Sequence, residues 1–204
     1  MKADLKKQIE TYTAPAGRFE VVTVPPLQYL MLDGHGDPNT SQAYADALAT
    51  LYPAAYKLKF FSKSTLDMDY VVMPLEALWW AQDMATFTSA RDKSQWDWTV
   101  MNLVPHWITD DHVADVIAML EQKGDAPALD RLRLETLDEG LAVQTLHVGS
   151  YDDEAPVLAR LHEEYLPANG LVRTGKHHEI YLNDPRRTEA AALRTILRQP
   201  VARV

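Results

Sequence analysis

The chain has 204 residues, of which 47% are hydrophobic and 24% charged, with five tryptophans, so it can bury a full core as an ordinary globular protein. A net charge of -9 repels phosphate backbones, which argues against nucleic acid as a direct partner and favours cations. The absence of cysteine excludes disulfides, thiolate metal sites and a cysteine nucleophile, and it suits a reducing interior.

The N-terminal stretch "MKADLKKQIETY" is charged and amphipathic, without the apolar region of a secretory signal. No apolar run approaches the roughly 18 residues of a spanning helix. The expected location is therefore cytoplasmic, with no membrane partner. Residues 18–38, "RFEVVTVPPLQYLMLDGHGDP", hold two β-rich runs separated by Pro25 and Pro26, which cannot donate to a ladder. A polar cluster, Asn39 to Ser41, then caps a helix with Ala and Leu at helical spacing. Pro53 is expected to end that helix near Leu51, with a second short helix beyond.

Two further strand segments, 68–82 and 95–108, form a hairpin around a polar loop. Residues 109–123, "TDDHVADVIAMLEQK", read as a helix with Val113, Ile117 and Leu120 on one stripe and Gly124 just past its end. Strand-like residues 131–154 follow, and then a helix that starts at Ala155, carries Leu158, Leu161 and Tyr165 on one face, and stops near Pro167 and Gly170. A strand at 177–183 and the segment "LRTILRQPVARV" complete the chain.

Residues 19–52 slide onto 132–165 without a gap, placing Val21 over Leu134, Gly36 over Gly149 and Tyr52 over Tyr165. The order of elements repeats as well, so an internal duplication is the expected architecture. The fold class is α+β, with two strand-helix-strand-strand modules in one domain. Half-repeats 18–108 and 131–204 are joined by a connector helix, 109–124. Antiparallel sheets of this kind leave a concave surface where the two modules meet, a favoured place for ligands.

In "HHEIYLN", Ile180, Leu182 and His178 point one way, and His177, Glu179 and Tyr181 the other. Assigning the apolar pair to the helices puts Glu179, Tyr181 and His177 in the groove. Trp79, Trp80, Trp96 and Trp98 all lie on the hairpin; Trp96 and Trp98 share a face that Trp80 can reach, so these three are expected to line the cavity. A register shifted by one residue would exchange them for Trp79 and its neighbours. A carboxylate among indoles can attract a cation, or it can be desolvated into a general acid or base. Tyr181 and Tyr151, the latter on the turn "HVGSYDDE", are its hydrogen-bond candidates.

Other constellations are weaker. His177 and His178 diverge on a strand, and no HExxH pattern exists, so no metal is expected. "GHG" lacks phosphate-loop spacing, Ser150 lacks the GxSxG context, and Asp152 to Glu154 most simply cap the following helix. No cofactor is implied.

The segments "RFEVVTVPP", "DYVVMPLEALWW", "WDWTVMNLVPHWI", "HHEIYLNDPRRT" and "LRTILRQPV", in this order, resemble the GyrI-like small-molecule-binding family. The resemblance implies a duplicated fold with a central groove and Glu179 at its floor. The stand-alone layout is similar to cyclopropanoid cyclohydrolases, which add water across electrophilic cyclopropanes of DNA-alkylating natural products. On that basis Glu179 would deprotonate water, Tyr151 would steady the developing oxyanion, and Tyr181, His177 and the indoles would hold the substrate. The alternatives are sequestration of planar aromatic or cationic molecules without turnover, and a gyrase-inhibitor role. A homodimer is left open.

Overall fold

The computed structural model describes residues 2–83 and 92–204. The hairpin loop expected between the two central strands falls largely outside them. After α1 (Leu5–Gln8), the chain forms β1 (Glu20–Val24), β2 (Leu27–His35), α2 (Gln42–Thr65), β3 (Glu76–Trp80), β4 (Asp97–Leu103) and α3 (Asp110–Glu121). The second half follows the same order with one strand, β7, added: β5 (Arg133–Leu137), β6 (Gly140–Val148), α4 (Ala155–Ala159), β7 (Leu171–Arg173), β8 (His177–Tyr181) and β9 (Arg194–Arg203). Beyond Ala159, α4 widens into a π-helical stretch, Arg160–Tyr165, and closes with Leu166–Ala168.

The described strands form one antiparallel sheet ordered β1-β6-β9-β8-β3-β4-β2-β5, with β7 added beside β9. Exchanging each strand for its counterpart in the other half reverses this order onto itself. The two halves are interleaved, because β1 pairs with β6 and β2 pairs with β5. The central junction is the β3–β8 pair, which sets Ala77 opposite Glu179 and Trp79 opposite His177.

Both faces of the sheet are covered. On one face α2 and α3 bury Leu51, Ala54, Leu58, Val113 and Leu120 against Leu30, Leu32, Ala77 and Val100. The other face carries Tyr29, Met31, Leu78, Met101, Ile180 and Ile196, and the N-terminal segment closes it with Tyr12, Leu5 and Ile9. This corrects one expectation. Ile180 and Leu182 pack toward the N-terminal segment, and Glu179 and Tyr181 lie on the helix side; an apolar side chain does not say which face the helices occupy when both faces are buried.

Pro53 does not end α2, which runs on to Thr65. Its missing N–H leaves the Ala49 carbonyl without a helical donor, at a cost of about 3 kcal/mol. Ala49 and Pro53 both line an open cavity, while Ala54, Ala55 and Leu58 are fully buried. Packing beyond the proline offsets the lost bond. The α3 boundary follows its sequence signals, with a reciprocal Thr109–His112 capping box.

Gly34, on β2, is cross-strand from Trp98, whose indole lies flat over it. A Cβ at Gly34 would stand 2.0 Å from the Trp98 ring. Gly34→Ala should therefore lower the unfolding free energy by about 1–3 kcal/mol, measured by urea denaturation.

Beneath β8, on the N-terminal side, lies a buried polar network. His178 Nδ1 is 3.0 Å from Glu139 Oε1 and its Nε2 is 3.0 Å from Glu76 Oε2, while Tyr12 donates to the other oxygen of Glu76. Arg198 donates to Glu139 Oε2 at 2.8 Å, to Gln144 at 3.1 Å and to the Thr11 carbonyl at 2.7 Å. Burial opposes the charge on Glu139, but His178 and then Arg198 outweigh it and hold the carboxyl at about 2. Burial likewise opposes the charge on His178, and Glu139 and Glu76 raise its pKa nonetheless.

The stabilisation from Glu139 is complete above the ordinary carboxyl value of 4.5 and is lost as pH falls through about 2. That from His178 is complete below 6.5 and is lost as pH rises through its higher folded value. The melting temperature should be highest between these limits and decline toward alkaline pH. Thermal scans from pH 5 to pH 9 at constant ionic strength check this.

Candidate functional site

A cavity of about 1270 Å³ opens between α2, the β3–β8 junction and the turn before α4. It exceeds the roughly 300–1,000 Å³ of typical ligand pockets, so a polycyclic molecule fits. The alternation of β8 places His177, Glu179 and Tyr181 in a row along its floor. The Glu179 side chain is only 13% exposed. Its Oε2 accepts from the Tyr181 hydroxyl at 2.7 Å, and that hydroxyl accepts from Trp79 Nε1 at 3.0 Å. Oε1 stands 3.4 Å from His177 Nε2.

The walls are aromatic. Tyr44 of α2 stacks on Trp79 with centroids 6.1 Å apart, Trp96 meets Trp79 edge-on at 5.7 Å, and Tyr151 meets Tyr181 edge-on at 5.4 Å. Burial, followed by the charge of Glu179, pushes the Tyr181 hydroxyl well up. Burial, with Glu154 and Glu179, pushes Tyr151 to about 12. Both phenols therefore remain protonated at neutral pH and act as hydrogen-bond donors. A flat, electron-poor or cationic group placed here would meet indole and phenol faces with the Glu179 carboxylate on the floor of the slot.

Of the residues singled out from the sequence, Glu179, Tyr151, Tyr181, Trp96 and His177 come together in the cavity. Trp80 and Trp98 do not. Trp80 projects to the opposite face, where the Lys176 ammonium sits 3.2 Å from its ring centroid. Trp98 is on the cavity side of the sheet but fully buried, pinned over Gly34, bonded to the Gly36 carbonyl at 3.2 Å and roofed by Tyr44. Trp79 takes the place assigned to Trp80, because strand parity puts it on the Glu179 side.

Two contributors were missed. Tyr44, Leu48, Tyr52 and Tyr56 all line the cavity, and their four-residue spacing along α2 was a readable signal. Glu154 makes no side-chain cap to α4; it is 4% exposed and lines the cavity. Its place among Asp152 and Asp153 gave no hint of burial.

The family model for the GyrI-like small molecule binding domain matches residues 18–201. The chain belongs to this family. A GyrI-like small-molecule-binding domain takes a small molecule as its ligand. An uncharacterized conserved protein from Listeria innocua is 34% identical, with a TM-score of 0.89 over 98% of this chain and 100% of the other. A protein described as a hydrolase from Listeria innocua is also 34% identical, with a TM-score of 0.84 over 98% and 100%. The C-terminal domain of EcmrR, at 12% identity, shares the fold with a TM-score of 0.58 over 92% of this GyrI-like chain and 98% of its own. No protein of curated function matched significantly. No helix among the described residues is long and apolar enough to cross a membrane.

Proposed function

We propose that this GyrI-like protein is a hydrolase that opens electrophilic cyclopropane rings of DNA-alkylating toxins by Glu179-assisted addition of water. One observation carries the reading: a nearly buried carboxylate, bound to a phenol, lies on the floor of an aromatic slot large enough for a polycyclic substrate. Two Listeria innocua relatives, 34% and 33% identical over nearly the whole chain, are described as hydrolases, which supports turnover.

In this mechanism Trp79, Trp96 and Tyr44 hold the flat substrate. Water adds to a ring carbon as one cyclopropane C–C bond breaks, and that electron pair moves to the conjugated carbonyl oxygen. Glu179 takes the water proton and later releases it to solvent, and the oxyanion is protonated from solvent after the ring has opened. Tyr151, still protonated, donates a hydrogen bond to the developing oxyanion. The strained ring opens downhill, so acid–base assistance of about 100- to 10,000-fold suffices.

The same slot supports a second reading, sequestration of planar cations without chemistry, because Glu179 and the indoles would attract such a ligand regardless. Incubation with a spirocyclopropane alkylator separates the two. Hydrolysis yields a ring-opened alcohol one water heavier, and sequestration yields protected, unchanged compound. In both cases Trp79→Ala should weaken binding of a planar cationic dye about tenfold. Trp80→Ala should leave it unchanged, as read by fluorescence titration.

A further inference from the structure

The other oxygen of Glu179 points to a role for histidine. Oε2 is held by Tyr181 at 2.7 Å, and Oε1 is approached by His177 Nε2 at 3.4 Å. His177 is 5% exposed and lines the cavity, and neither of its ring nitrogens has a hydrogen-bond partner among the described residues. Such a group left unpaired in a buried site calls for an explanation. Trp79 flanks the ring from β3, and the register that pairs His178 with Arg198 brings Gln199 beside it from β9.

Behind it sits His162, on the π-helical stretch, a kind of helical widening that recurs at functional sites. Among the described residues His162 Nε2 is also buried without a hydrogen-bond partner, although Gln199 interacts with the imidazole. Burial, and then the proximity of His177 and Arg173, lowers the His162 pKa to about 4, so it is neutral at physiological pH. His177 thus lies on the Oε1 side of Glu179, with His162 near it.

We propose that His177 is the positioning residue of Glu179, donating its Nε2–H to Oε1. The carboxylate is then clamped between an imidazole and a phenol, one bond to each oxygen, and its remaining lone pairs face the cavity. The 3.4 Å gap suits a contact that tightens when ligand excludes water. This rests on the assignment of Glu179 as the working carboxylate.

The first test needs no substrate. Nitrogen-isotope NMR of the labelled histidines should find His177 as the Nε2–H tautomer, with its Nε2 resonance moving in Glu179→Gln. The opposite tautomer, or an Nε2 resonance indifferent to that substitution, overturns the proposal. The second test uses the alkylator. His177→Leu should slow ring opening about 30-fold, and His177→Gln, which keeps an N–H donor, should recover most of the loss. Equal rates in all three proteins overturn it. If wild type opens no ring, the hydrolase reading falls, and the NMR result alone decides the positioning role.

Discussion

Glu179→Gln should slow ring opening by about 100- to 10,000-fold, the range expected when a general base is removed. Glutamine keeps the shape of the side chain and can still accept from Tyr181, so the floor of the slot survives. It cannot take a proton from water. It also carries no charge, so binding of a planar cation should weaken about tenfold even where no chemistry follows. Rates at saturating and at low substrate separate the two effects. A fall in kcat reports the lost base, and a rise in KM reports the lost attraction.

Arg198→Met should be the most damaging substitution for stability. Arg198, Glu139, His178 and Glu76 are buried together, two positive groups against two negative ones. Removing the guanidinium leaves the Glu139 and Glu76 charges with His178 alone. Breaking a buried pair from one side costs about 3–5 kcal/mol, and the melting temperature should fall on the order of 10 °C. The double variant Arg198→Met with Glu139→Gln removes one charge of each sign and should recover part of the loss, as measured by urea denaturation. The network adjoins the cavity floor, because His178 and Glu179 are neighbours on β8 and face opposite sides of the sheet.

Much of this was legible in the residues, for reasons that also mark the limits. The alternation of "HHEIYLN" separates Glu179 and Tyr181 from His178 and Ile180, since side-chain parity is intrinsic to a strand. Which side held the helices was not legible, because both faces are apolar and both are covered. The same parity decided between Trp79 and Trp80, two adjacent indoles of equal hydrophobicity, and only the pairing register with β8 distinguishes them. Trp98 has the parity of a cavity residue but lost its place to the flat surface over Gly34, a contact 64 residues apart along the chain that no local pattern encodes. Pro53 broke a local rule, and burial of Ala54 and Leu58 overrode it. The Glu76–His178–Glu139–Arg198 network joins β3, β8, the turn before β6 and β9, with no spacing to betray it. Its burial emerges only from the sheet order.

The most direct test of the central claim is to incubate wild type and Glu179→Gln with a spirocyclopropane alkylator in heavy-oxygen water and analyse the products by mass spectrometry. The account predicts a ring-opened alcohol carrying one heavy oxygen from wild type, and nearly none from the variant. Equal yields from both proteins, or alkylator recovered intact from wild type, would contradict it.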